Sequence, residues 1–248
     1  MRVYQEKLDI QYEDTKEFFA KRASCYHEDN PYSVTMYQDN NPELVVKRNE
    51  REIAFLMPKL QLSESSRVLD VACGIGRWAD AITMNIDKYV GVDFSDELIE
   101  IAKRRNKREN FSFYQGGATE LQKVISGNGQ EAAYNVVLVM GLQIYLNDGD
   151  ISLLFKQICS LCGKEAVVCL REPVAIEERL TLKEFYSEDL KENYNAIYRT
   201  CEEHMRNYSQ VFGREGFALV EEGFLYKEES LNNRRETAQY YWIYKRKG

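Results

Sequence analysis

Residues 66–77 read Ser-Arg-Val-Leu-Asp-Val-Ala-Cys-Gly-Ile-Gly-Arg, an apolar run that meets an acid and then a glycine turn. Val68, Leu69 and Val71 suit a buried strand, and Gly74 and Gly76 let backbone approach a ligand where a side chain would block it. From Arg77 the spacing of Trp78, Ala81 and Ile82 is helical, so the glycines lie at a strand-to-helix turn with free N–H groups. Strand, glycine turn and helix together make a nucleotide-cofactor site. The residues that could do chemistry there are Asp70, Gly74 and Arg77.

Gly74-x-Gly76-x-x-Ala79 satisfies a relaxed dinucleotide fingerprint, a weak signal when it stands alone. Asp70 argues against it, because a carboxylate at the strand end would face a doubly negative pyrophosphate. A cofactor with an ammonium and a sulfonium, S-adenosylmethionine, turns that repulsion into attraction, and Arg77 could pair with its methionine carboxylate. The plainer alternative for Asp70 is a turn or helix-capping acid. A second apolar run, Tyr89-Val90-Gly91-Val92-Asp93-Phe94-Ser95, also ends in an acid. Asp93 lies where a carboxylate accepts two ribose hydroxyls, Phe94 could lie against adenine, and Ser95 reads as the N-cap of the next helix.

Val68 to Gly76 and Gly91 to Ser95 resemble the first two motifs of class I S-adenosylmethionine-dependent methyltransferases. Tyr134-Asn135-Val136-Val137-Leu138-Val139-Met140-Gly141-Leu142 is similar to their fourth strand and the loop after it. The resemblance covers residues 60–171 well and the rest by topology. It is specific for fold and cofactor, not for the methyl acceptor. It implies that Gly74, Arg77, Asp93 and Phe94 hold the cofactor, with Met140 and Gly141 on its methionine side. The chain departs from the pattern after its third strand, where an acid for the adenine amine is usual and Gly116-Gly117-Ala118-Thr119 stands instead. Ala118 and Thr119 are expected to supply backbone contacts.

Methyl transfer is a displacement at carbon, so alignment and exclusion of water carry most of the catalysis, and a base matters only for a protonated acceptor. The chain has two histidines, His27 and His204. His204 is a catalytic candidate whose plainer reading is packing on its helix. Tyr145, four residues past Gly141, occupies the place where many relatives carry a histidine facing the acceptor. As a phenol it is a hydrogen-bonding group and a poor base. Arg171 and Glu172 end the fifth strand, on the edge where open α/β sheets bind substrate. Tyr198 and Arg199 come from the segment that follows, and with Arg171 they suggest a polar or anionic acceptor. Pairing of these arginines with nearby glutamates is the competing reading. Arg-Glu-Pro after strand five and Ala-Ile-Tyr-Arg further on also resemble bacterial methyltransferases of capsule and natural-product pathways.

The elements that must position these residues alternate as a doubly wound, mostly parallel seven-stranded sheet requires. Strands are expected near 66–71, 88–92, 111–115, 134–139, 165–170, 217–226 and 238–246, the last two an antiparallel edge. Helices are expected near 77–85, 95–105, 148–161 and 200–214. The first 60 residues show no strand signal and two helices, about 6–23 and 42–57, around a tyrosine-rich stretch read as a lid. Residues 172–199 read as a cap insertion with a helix-like stretch from Glu177 to Leu182 and no strand. The chain is read as one domain over 1–248, with a cofactor core at 61–171 and a C-terminal helix and edge strands at 200–248.

The 248 residues are 44% hydrophobic and 12% aromatic, enough for a substantial core. A net charge of −7 disfavours nucleic acid or an anionic membrane as partner. The one basic run, Lys103 to Arg108, reads as a solvated helix end. No stretch is apolar enough to span a bilayer, and Met1 to Tyr4 begin no signal peptide. The six cysteines, some inside apolar strands, suit a reducing cytoplasm. Cys159-x-x-Cys162 lacks a second pair, so no metal site is expected. The expected function is methyl transfer to a small polar acceptor, at oxygen, in a biosynthetic pathway; oligomeric state is open. A catalytically silent cofactor-binding subunit, a protein or peptide N-methyltransferase and a nicotinamide-dependent oxidoreductase remain as alternatives, the last disfavoured by Asp70.

Overall fold

A computed structural model describes residues 1–37, 41–187, 192–232 and 234–248. The parts of the lid at 38–40 and of the cap at 188–191 lie outside the described residues. The seven expected strands form one sheet. They are β2 (Arg67–Val71), β3 (Lys88–Asp93), β4 (Phe111–Gln115), β5 (Tyr134–Met140), β6 (Cys162–Ala175), β9 (Phe217–Phe224) and β10 (Thr237–Arg246), in the order β4-β3-β2-β5-β6-β10-β9. β2 pairs in parallel with β3 and with β5, and β10 runs antiparallel between β6 and β9. Parallel strands must be covered on both faces, and Leu69, Val71, Val90, Val92, Val137 and Val139 are accordingly all buried.

The covering helices include α3 (Pro42–Leu60), α4 (Arg77–Ala81), α5 (Asp96–Arg105), α6 (Leu121–Gly127), α7 (Asp148–Leu161) and α8 (Cys201–Phe212). Ser95 caps α5 by accepting from the Leu98 N–H at 3.2 Å, as its position predicts. Thr200 and Glu203 form a capping box on α8. α4 stops at Ala81, short of the expected 85. The Arg108 guanidinium takes the Ala79 and Ile82 carbonyls at 2.6 Å each, satisfying the helix end from outside.

Two expectations are corrected. The segment after strand five is not helix-like: β6 continues to Ala175, and β7 (Leu180–Ser187) and β8 (Glu192–Tyr198) pair antiparallel. Nor is the N-terminus free of strand, because β1 (Arg2–Tyr4) adds to β7 and makes a second, three-stranded sheet. Thr181, Phe185, Tyr194 and Ile197 have the β-branched and aromatic character of strands, which the surrounding charge masked. β1 is held by a partner about 180 residues away, which no local pattern announces. The first helix, α1 (Tyr12–Ser24), begins six residues later than expected. Asn147 holds the chain extended before it, accepting from the Ile10 N–H and donating to the Ile10 carbonyl.

Candidate functional site

The C-terminal tips of β2, β3, β5 and β6 open into one cavity, where an open α/β sheet binds its ligand. Asp70, Gly74, Arg77, Asp93, Phe94, Met140, Gly141, Tyr145, Arg171 and Tyr198 all line it. Ten residues singled out along 129 positions of sequence thus meet around one space. Ala118, Thr119, Glu172, Arg199 and His204 do not line it.

At the glycine turn, Ala72 and Gly74 both take positive φ, +62° and +54°. A Cβ on Gly74 would come within 3.0 Å of Thr35 Cγ2, so the turn and the segment above it leave no room for a side chain. The Asp93 carboxylate pins this turn from the next strand. It accepts from the Gly74 N–H at 2.9 Å and from the Ser95 N–H at 3.0 Å. Each oxygen keeps one lone pair for a ligand hydroxyl. Burial pushes Asp93 up to about 6 and Asp70 up to about 7, and the Tyr89 hydroxyl donates to Asp70.

A charged cluster flanks the glycine turn. The Glu52 carboxylate accepts from Arg77 Nη2 at 2.5 Å and from Arg171 Nη2 at 3.0 Å, and Arg77 Nη1 donates to Asn49 at 2.9 Å. Those two guanidinium groups hold Glu52 below the usual carboxylate range despite its burial. Arg171 also donates to Gln239 at 3.3 Å. Its approach needs Gly141, since a Cβ there would stand 2.8 Å from Arg171 Nη1. Arg48, one turn before Glu52 on α3, lines the same cavity and is 4% exposed.

The other wall is aromatic. Tyr37, Tyr145, Tyr194 and Tyr198 join hydroxyl to hydroxyl at 2.6, 3.1 and 3.3 Å. This chain crosses from the N-terminal segment through the loop after β5 to β8. Burial holds Tyr145 and Tyr194 well above the ordinary tyrosine value, so both stay protonated at neutral pH. Phe19 of α1 meets Phe94 and Tyr145 edge-on at 5.6 and 5.2 Å. Arg22 anchors the segment above the glycines, donating to the Ser33 and Val34 carbonyls.

The residues outside the cavity have structural partners. The Arg199 guanidinium donates to Asp148 at 2.6 and 2.8 Å and to the Gln143 and Leu146 carbonyls at 2.7 Å each. Only the reading of Arg199 as paired with an acid agrees with this, and the acid is Asp148 rather than a nearby glutamate. Glu172 Oε1 accepts from the Leu142 and Gln143 N–H groups and fixes the loop after β5. His204 is 0% exposed, faces the Tyr208 hydroxyl at 3.2 Å, and is pushed down to about 3 by burial and then by Arg199 and Arg179. It is neutral and away from the cavity, which removes it as a catalytic candidate. Ala118 and Thr119 start a single 3-10 turn that packs toward α7, where Gln157 donates to the Thr119 carbonyl. All six cysteines are free, and among the described residues no cluster of metal-ligating side chains occurs. Among them too, no helix is long and apolar enough to cross a membrane.

Arg48, Glu52, Tyr226, Thr237 and Gln239 line the cavity without having been expected there. A signal for two of them exists in the sequence. The buried stripe of α3 runs Val45, Arg48, Glu52, Leu56, Leu60, so two charged residues occupy an otherwise apolar helical face. β10 and β8 come to the cavity only through the fold.

Residues 68–165 match the family model described as a methyltransferase domain. Over 75 residues the chain is 33% identical to the 23S rRNA (uracil(1939)-C(5))-methyltransferase RlmD of Aliivibrio fischeri, covering 29% of this chain and 17% of that one. Over 91 residues it is 31% identical to the demethylmenaquinone methyltransferase of Lactococcus lactis, covering 34% and 36%. The chain therefore spans about a sixth to a third of the length of these curated relatives. The solved structure of a SAM-dependent methyltransferase from Leishmania major superposes with a TM-score of 0.62 at 17% identity, covering 96% of this chain and 87% of that one. The glycine cradle that a Cβ would fill, with acids at the tips of two adjacent strands, fits the cofactor of this fold. Residues 68–165 thus match a methyltransferase domain, within a fold shared with the SAM-dependent methyltransferase of Leishmania major.

Proposed function

We propose that the chain transfers the methyl group of S-adenosylmethionine to an oxygen of a small, polar or anionic acceptor in a biosynthetic pathway. The observation that carries this reading is the composition of the cavity wall. It holds Arg77 and Arg171 paired with Glu52, Arg48 beside them, no histidine among the described lining residues, and tyrosines kept protonated by burial. The raised carboxyls of Asp70 and Asp93 are taken up by the cofactor in this reading, so the acceptor side offers no base for a protonated acceptor, and an anionic oxygen arrives without a proton to lose.

The cofactor supplies an electrophilic methyl carbon beside a positive sulfur. In this reading Asp93 takes the ribose hydroxyls, Asp70 faces the ammonium, Arg77 the methionine carboxylate, and Phe94 the adenine. Met140 and Gly141 border the methionine side. Residues 1–60 act as the lid, with Phe19, Thr35 and Tyr37 closing the cavity against water. The β7–β8 hairpin serves as the cap, and Tyr145, Tyr194 and Tyr198 orient the acceptor by hydrogen bonds. All of these would belong to one methyltransferase domain over 1–248.

The names of the two curated relatives point to RNA and to a quinone as acceptors of those proteins. The net charge of −7 and the cover of α1 and β8 over the cavity favour a small molecule here. Transfer of radiolabelled methyl from S-adenosylmethionine into fractionated cell extract tests the reading. Label should enter a small acidic fraction. Label in protein or RNA, or no transfer by a protein that binds the cofactor, would overturn it.

A further inference from the structure

Arg48 is the feature that the cofactor reading does not use. It lies in the buried stripe of α3, its Nε is buried without a hydrogen-bond partner, and among the described residues its guanidinium forms no ion pair. A guanidinium taken out of water and left unpaired is costly unless a ligand supplies the missing anion. Arg171, on the same cavity wall, also has a buried Nε with no partner, while its two terminal nitrogens are held by Glu52 and Gln239. The Tyr226 hydroxyl feels the charges of both arginines and donates to the Arg48 carbonyl.

The three arginines of this wall are not equally provided for. Glu52 accepts from Arg77 and Arg171, Asp70 lies within reach of the Arg77 charge, and Arg171 also feels the neighbouring Glu172 carboxylate. Among the described residues no carboxylate pairs with Arg48, so it is the cation left without an anion. A methionine carboxylate paired with Arg77 would leave Arg48 as it is, and the ammonium and sulfonium of the same molecule add positive charge.

We propose that Arg48 and Arg171 form an oxyanion subsite for the acceptor, taking a carboxylate or phosphate group while the cofactor is bound. This rests on reading the cavity as a methyltransferase site. Arg48 and Arg171 would fix the anionic group from α3 and β6, with Gln239 keeping the Arg171 fork in place. Neither residue donates or removes a proton in the transfer, so both act by positioning.

Inorganic phosphate is the probe. The protein is saturated with S-adenosylhomocysteine and titrated with phosphate, followed by 31P line broadening and by the melting temperature. The wild-type complex should bind phosphate saturably. Arg48→Gln should weaken it at least tenfold, Arg48→Lys should recover part of that loss, and the affinity for S-adenosylhomocysteine should stay within twofold. Absence of saturable phosphate binding by the wild-type complex overturns the subsite whatever the variants do. So does Arg48→Gln losing S-adenosylhomocysteine affinity tenfold while 5′-methylthioadenosine, which lacks the carboxylate, binds as before; Arg48 would then serve the cofactor. Failure of the wild-type protein to bind S-adenosylhomocysteine would instead overturn the methyltransferase reading itself, and the subsite with it.

Discussion

Changing Asp93 to Asn probes the proposed cofactor site with a side chain of nearly the same shape. Both Asp93 oxygens already accept a backbone N–H, from Gly74 at 2.9 Å and Ser95 at 3.0 Å. The ribose hydroxyls can use only the remaining lone pairs. Asn keeps one acceptor oxygen for Gly74, loses the charge, and sets its NH2 against the Ser95 N–H and the second hydroxyl, so the fold must be verified alongside the affinity. Loss of one charge-assisted hydrogen bond costs about 1.5–3 kcal/mol, so Kd for S-adenosylhomocysteine should rise roughly 10- to 150-fold. Burial places the Asp93 carboxyl at about 6 in the free protein. The ligand prefers its ionised form, so wild-type affinity should fall as pH drops below about 6, and the Asn variant should be flat over the same range. Calorimetry between pH 5 and 8, with circular dichroism to verify the fold, reads both effects. Equal affinity in a normally folded variant, or a wild-type affinity independent of pH, would refute the assignment of Asp93 to the ribose.

Three further outcomes are expected. Arg199→Gln should lower stability by about 1.5–3 kcal/mol in urea melts, because two loop carbonyls lose a buried charged donor while Asp148 keeps Arg179, with S-adenosylhomocysteine affinity unchanged; a stable variant with damaged ligand binding would return Arg199 to the site. Asp70, raised to about 7 in the fold, contributes stability that is full below about pH 4 and lost as pH rises through 7. Asp70→Asn should therefore exceed wild type by about 4 kcal/mol at pH 8, with a smaller gap at pH 5; a gap that grows on acidification would contradict this. Hydrogen exchange over residues 25–37 should slow when S-adenosylhomocysteine is added, since Thr35 and Tyr37 line the cavity it would fill; identical exchange with and without ligand would make the segment an ordinary surface loop.

The local pattern of residues was enough for the sheet and for the strand-tip residues that line the cavity. Apolar runs ending in Asp70 and Asp93, a glycine turn between strand and helix, and the cap at Ser95 are contiguous signals. Their meaning depends on neighbours a few residues away, and each reappears where it was expected. The acceptor side was different, because its residues are brought together by long-range pairing. Arg171 and Arg199 look equivalent in sequence, yet Arg171 ends on the cavity beside Glu52 while Arg199 turns to Asp148. His204 and Glu172 likewise have the chemistry of a site and serve packing and loop geometry. Arg48 stands out in sequence as a charge in an apolar helical stripe, but only the packing of α3 in the fold made that charge face a cavity. Strand β1 had no local signal, since its partner β7 lies about 180 residues downstream. Short-range periodicity decides which elements form and which residues stand at the strand tips. Which distant charges lose their water together is settled only when the tertiary fold closes over them.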